Sequence, residues 1–310
     1  MGFLERARAL YEEKGAALIH ERLGEADARV AVGLAGRGSQ CYGYDDEISA
    51  DHDYTLGFCL WINDEDDEKL GLELRRIYRE LVPAESIQRS AMGTSGMGVY
   101  RIGDFFLPYT GTRGAPTDVI QWLYLPSHAL AEASNGQVWR DDTGEFSAIR
   151  KTILEGMPED VRIKKLAAAV LIMAQAGQYN YARCLKRGEE GAAMLAMGEF
   201  VKAASTAVFL LNRRHMPYYK WSFRAMSELP KLGKLRDALE FLLTGENDRE
   251  GQKLKTQVVE DVCSQVVKEL QSQRLTCGSW DYLEKHAIDM HGHIQNAALS
   301  SLHILEGWQG

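Results

Sequence analysis

At 310 residues, with 45% hydrophobic and 26% charged residues, the chain can bury one large or two ordinary cores and is not the composition of a disordered polymer. Its formal net charge of -8 repels polyanions, which makes duplex nucleic acid a poor first partner. No apolar run reaches the roughly 18 residues of a membrane span, and Met1 to Leu10 alternates charged with apolar residues instead of building a signal-peptide core. A cytoplasmic protein with no membrane partner is expected. Cys41, Cys59, Cys184, Cys263 and Cys277 are widely spaced with no Cys-x-x-Cys pair, so they read as free thiols.

In chain order, Phe3 to Leu23 has the apolar spacing of an amphipathic helix. Val30 to Leu34 reads as a strand that breaks into the turn Ala35-Gly36-Arg37-Gly38-Ser39. A second strand is predicted from about Asp51 to Ile62, ended by the acidic cluster Asn63 to Glu68, and then a helix to about Leu81. Gly93 to Gly98 reads as a loop, Val99 to Leu107 as a strand and Thr110 to Gly114 as another loop. Pro116 suits the start of a short helix through Trp122, and Val138 to Arg140 adds a strand. After about Glu145 the pattern becomes helical, over roughly 158–187, 190–213, 217–243, 251–274 and 279–305. The expected class is α+β: a mixed sheet with helices over 1–144, followed by an all-α bundle over 145–310.

The chemistry concentrates in the stretch from Gly38 to Tyr54. On a strand, Asp51 and Asp53 project to one face and His52 to the other, so two carboxylates converge. Carboxylates held that close stay ionised only with a cation between them, and a hard divalent ion, magnesium, suits such oxygens. The glycine turn lets backbone N–H groups of Gly38 and the Ser39 hydroxyl approach phosphate oxygens. Turn and acids could therefore act on opposite ends of one polyphosphate.

Gly38-Ser39, eleven residues, then Asp51-His52-Asp53 on a strand resembles the signature of the DNA polymerase beta-type nucleotidyltransferase superfamily. The longer string, with Gly43-Tyr44-Asp45-Asp46-Glu47-Ile48-Ser49, is similar to an uncharacterised nucleotidyltransferase-like family of bacterial proteins. Further matches to that family lie at Gln178 to Arg183 and Leu211 to Trp221, so the resemblance spans about residues 30 to 230. It implies a catalytic nucleotidyltransferase-type domain followed by a helical substrate domain. It also implies a third carboxylate on a neighbouring strand, for which Asp104 is the first candidate and Asp118, in the short helix, the second.

Lys220 and Arg224 are one turn apart after Pro217, and Asn180 with Arg183 share another helix face; all four are candidate contacts to triphosphate or to an anionic acceptor. Solvated basic positions are an equal alternative for each. Tyr218, Tyr219, Trp221 and Phe223 are favoured as packing residues over base-stacking ones. Gly36 to Cys41 lacks the third glycine of a dinucleotide fingerprint, and Gly93 to Gly98 lacks the Gly-Lys-Ser/Thr of a P-loop. His286, His291 and His293 lack convincing zinc-ligand spacing.

The expectation is a magnesium-dependent nucleotidyltransferase that moves a nucleoside monophosphate from a triphosphate, first of all ATP, to a hydroxyl of a small-molecule acceptor, releasing pyrophosphate. A tRNA or protein acceptor stays open. The competing expectation is a nucleotide-binding regulatory or interaction protein that has lost turnover.

Overall fold

The computed structural model describes residues 2–45, 56–82 and 96–309. Its Cα positions fall into two compact units, Met1–Pro116 with Ala129–Gly156, and Thr117–His128 with Met157–Gly310. Residues 145–156 thus go with the sheet unit and 117–128 with the helical one, where a single boundary at 144 was expected.

The first helices, α1 (Phe3–Leu10) and α2 (Ala16–Leu23), are joined by a π-helical turn at Tyr11–Gly15. There follow β1 (Ala31–Leu34), α3 (Ser39–Tyr42), β2 (Cys59–Ile62), α4 (Asp64–Leu81), β3 (Gly98–Arg101) and α5 (Ile102–Thr110). Then come α6 (Val119–Tyr124), α7 (Ser127–Ser134), β4 (Gln137–Arg140) and α8 (Glu145–Glu155). The strands form one sheet in the order β3-β2-β1-β4, with β1 antiparallel to both neighbours and β2 parallel to β3. The parallel pair is connected through α4, whose start is fixed by Asn63: its side chain accepts from the Asp66 N–H at 2.8 Å.

Both faces of β2 are covered, which is why Cys59-Leu60-Trp61-Ile62 shows no polar alternation. Phe58, Leu60 and Ile62 pack with Ile19 of α2 and Leu74 and Ile77 of α4. On the other face Trp61 stacks on Phe146 of α8 at 3.8 Å, with Phe105 edge-on at 5.4 Å. The ends of the unit are tied by ion pairs. Asp27 accepts from both terminal nitrogens of Arg140 at 3.1 Å, and these bonds hold its carboxyl below the usual aspartate range against the opposing effect of burial. Burial also acts to raise the Asp67 carboxyl, yet Arg75 and Arg101, at 2.8 and 2.6 Å, together keep it low.

Two expectations need correction. The strand predicted over Val99 to Leu107 ends at Arg101, and α5 begins at once. Ile102, Phe105, Phe106 and Tyr109 are all buried, an i, i+3, i+4, i+7 spacing that is helical despite Pro108. In the second predicted strand, the described pairing covers only Cys59–Ile62; Leu56, Gly57 and Phe58 precede it unpaired in the ladder, and 51–55 lie outside the described residues.

The second unit contains α6, α9 (Glu159–Met173), a π-helical continuation at Ala174–Tyr181, α10 (Ala182–Lys186) and α11 (Glu190–Leu211). It ends with α12 (Tyr219–Ser227), α13 (Leu235–Thr244), α14 (Arg249–Ser272), α15 (Leu283–Gly292) and α16 (Ala297–Ser300). The stretch 217–243, read as one helix, is split by Pro230, Gly233 and a left-handed Leu232 at φ 56°. Among the described residues α11 alone has the length and apolarity of a membrane span, and it packs as a core helix, with 61% of its most apolar window buried.

This bundle buries several cations. Arg162 donates to Glu159 and to the Leu210 carbonyl. Lys164 donates to the carbonyls of Leu302 and His303 and lies 2.8 Å from Nε2 of His291. Lys255 is fully buried, and its Nζ has no hydrogen-bond partner among the described residues.

Candidate active site

The central strand β1 delivers the glycine turn. Gly36 and Gly38 adopt φ 115° and 111°, a region that L side chains rarely enter, so the chain can leave the strand sharply only with glycine there. A Cβ on Gly36 would meet the Tyr109 hydroxyl at 3.0 Å. Asn135 clamps the turn: its Nδ2 donates to the Gly36 carbonyl and its Oδ1 accepts from the Gly36 N–H, both at 2.8 Å. Arg150 donates in turn to the carbonyls of Asn135 and Gly136. Gly38 then caps α3 and Ser39, half-buried, is its first residue.

The register places the start of β2 at the sheet end that carries this turn. Because β1 and β2 are antiparallel with Gly33 opposite Cys59, residues just before Cys59 lie at the sheet end where Leu34 leads into Gly36. The buried Cys59 thiol donates to the Gly96 carbonyl at 3.2 Å, and burial pushes it up to about 12. Cys41 is likewise buried, its thiol donating to the Arg37 carbonyl and its pKa raised by burial. Both are packing thiols. Asp51 and Asp53 themselves lie outside the described residues.

Asp104 is not at a strand end. It occupies the first turn of α5 and pairs with Arg113, which also holds Asp64 at 2.5 Å. Since β3 runs parallel to β2 with Arg101 opposite Ile62, Asp104 follows the end of the sheet remote from the glycine turn. Asp118 is a helix cap: its Oδ1 accepts from the N–H groups of Ile120 and Gln121. Glu132 of α7, which no motif marks, also lies at the turn. Its carboxylate lies 3.5 Å from Nε of Arg37 and is only 17% exposed, and its charge contributes to raising the Tyr42 and Tyr109 hydroxyls after the larger effect of their burial. The available signal was its place three residues before Asn135, so that α7 and the residue just after its end both reach the turn.

In the helical unit, Asn180 is exposed, and the exposed Arg183 lies 4.6 Å over the Tyr179 ring. Lys220 sits 5.1 Å over the Trp221 ring, and Lys220 and Arg224 are exposed residues of α12. None of these four lines the cavity described below, whereas Tyr219, Ser222 and Phe223 of α12 do, together with Lys165 and Lys202, which no sequence motif marks. The C-terminal histidines have structural partners: His286 bonds Thr276 and the Trp280 carbonyl, and His293 faces Asp289 at 3.6 Å.

The family model "Domain of unknown function (DUF4037)" matches residues 122–222. No curated protein matches the chain. The chain is similar to a crystal structure of a nucleotidyltransferase-like protein from Exiguobacterium sibiricum 255-15, at 13% identity over 94% of this chain and 89% of that one. The TM-score of 0.35 is too low to transfer fold or function.

Proposed function

We propose that the first unit is a nucleotidyltransferase: it binds a nucleoside triphosphate, ATP first, and passes the nucleoside monophosphate to a hydroxyl of a small-molecule acceptor. The observation that carries this reading is the turn Gly36 to Ser39 on the central strand, with the residues entering β2 returned to the same sheet end. Gly38 backbone and Ser39 hydroxyl groups would hold phosphate, and Asp51 and Asp53 would ligate magnesium. When bound, magnesium neutralises the charge that develops as pyrophosphate leaves. The acceptor oxygen forms its bond to the α phosphorus as the bond to pyrophosphate breaks, and the hydroxyl proton passes to a carboxylate. Glu132, beside Arg37 at the turn, would take that role, since Asp104 follows the opposite sheet end.

A second reading, nucleotide binding without turnover, is favoured by that displacement of Asp104. Magnesium-dependent pyrophosphate release, screened with pools of hydroxyl-bearing small molecules, separates them. The transferase reading expects release that Asp51→Asn or Glu132→Gln abolishes. Binding of ATP with no release for any acceptor pool would overturn it in favour of the second.

A further inference from the structure

The second unit holds a cavity of about 740 Å³ between α9, α11, α12 and the segment Gly307–Gln309. That volume is within the range of small-molecule sites. Its walls are mainly apolar and aromatic: Val201, Met216, Phe223 and Leu243 on one hand, and Tyr218 with Tyr219, rings 4.3 Å apart, on the other. Two lysines, Lys165 and Lys202, are among its lining residues, and no aspartate or glutamate is, in a chain whose net charge is -8.

Lys165 is 9% exposed, and its Nζ donates to the Leu125 carbonyl at 2.8 Å. An ammonium carries three donors, so that carbonyl leaves the group under-coordinated and, among the described residues, without a counter-charge. Burial lowers its pKa to about 8, which keeps it largely charged at neutral pH. The neighbouring hydroxyls do not supply acceptor charge. Ser205 and Ser222 donate their protons to the Val201 and Tyr219 carbonyls and carry no charge. Lys202 is exposed, marking the solvent side of the cavity, and makes no ion pair among the described residues.

We propose that this cavity binds a small molecule with a flat or chain-like apolar body and one anionic group, the anion against Lys165 and the body along the tyrosine wall. The inference stands on the second unit alone and survives if the first unit binds no nucleotide.

The test uses the full chain and two probes of one ring system: 8-anilinonaphthalene-1-sulfonate, which is anionic, and N-phenyl-1-naphthylamine, which is neutral. The expected result is one sulfonate probe per chain, a raised Tm because the folded form binds it, and at least about tenfold weaker binding of the neutral probe. Lys165→Met should lower the affinity of the sulfonate to that of the neutral probe and leave the latter unchanged, and Lys202→Met should cost a few-fold. Gly198→Phe should exclude both probes while the protein stays folded, because a Cβ at this lining position meets nothing within 4 Å. Equal affinity for the two probes, a lowered Tm, or sulfonate binding indifferent to Lys165→Met and Gly198→Phe would overturn the proposal.

Discussion

The two units handle charge in opposite ways. In the sheet unit, buried carboxylates meet arginines in short, multiply bonded pairs, Asp27 with Arg140 and Asp67 with Arg75 and Arg101. In the helical unit Arg162 has a carboxylate partner, Glu159, but the buried lysines are held by carbonyls, as at Lys164 and Lys165, or have no hydrogen-bond partner among the described residues, as at Lys255. A carboxylate pair brings its own counter-ion; a lysine on a carbonyl leaves net positive charge in place. The difference bears on the ligand proposed for the second unit: a buried ammonium held only by a carbonyl suits an anion.

The largest effect separating the units is catalytic. Asp53→Asn should reduce magnesium-dependent turnover by roughly 10³-fold, about 4 kcal/mol of transition-state stabilisation, without changing probe binding in the helical unit. A parallel loss of both would erase the distinction. Next, Phe146→Ala removes the ring stacked on Trp61 and should destabilise the protein by about 3–5 kcal/mol in denaturant unfolding. A smaller change of opposite sign is expected at Lys255→Met, which relieves a buried amine without a partner and should stabilise by about 1–3 kcal/mol. Destabilisation there would mean that the helical unit does not carry an uncompensated cation.

The smallest effect is acid sensitivity at Asp27. Its folded pKa lies below the unfolded value, so its contribution is complete above about pH 4 and is lost as pH falls through the folded pKa. Asp27→Asn should flatten that part of the stability profile, measured as Tm against pH.

Much of this organisation is legible in the residues. Val30 to Leu34 shows its strand because both faces are apolar, the glycines announce the turn, and the helices after 158 show their period. What was missed had physical reasons. Ile102 to Tyr109 contains both a run of aromatics, which suggests a strand, and the 3.6-residue spacing that prevailed because Phe105 and Phe106 pack against Phe146. The placement of Asp104 on a strand followed from that run; it lies in the first turn of α5. Lys165 looks like any charged residue of an amphipathic helix, yet α9 is packed on nearly all sides, and Arg162, Lys164 and Lys165 are all buried. The cavity draws its lining from segments as far apart as Pro126 and Gln309, which no local pattern reveals.

Calorimetric titration of ATP with and without magnesium, on wild type and Asp53→Asn, bears most directly on the glycine turn and its acid pair. The account predicts one magnesium-dependent site per wild-type chain and a loss of that dependence in the variant. Identical isotherms for the two proteins, or a wild type indifferent to magnesium, would contradict it.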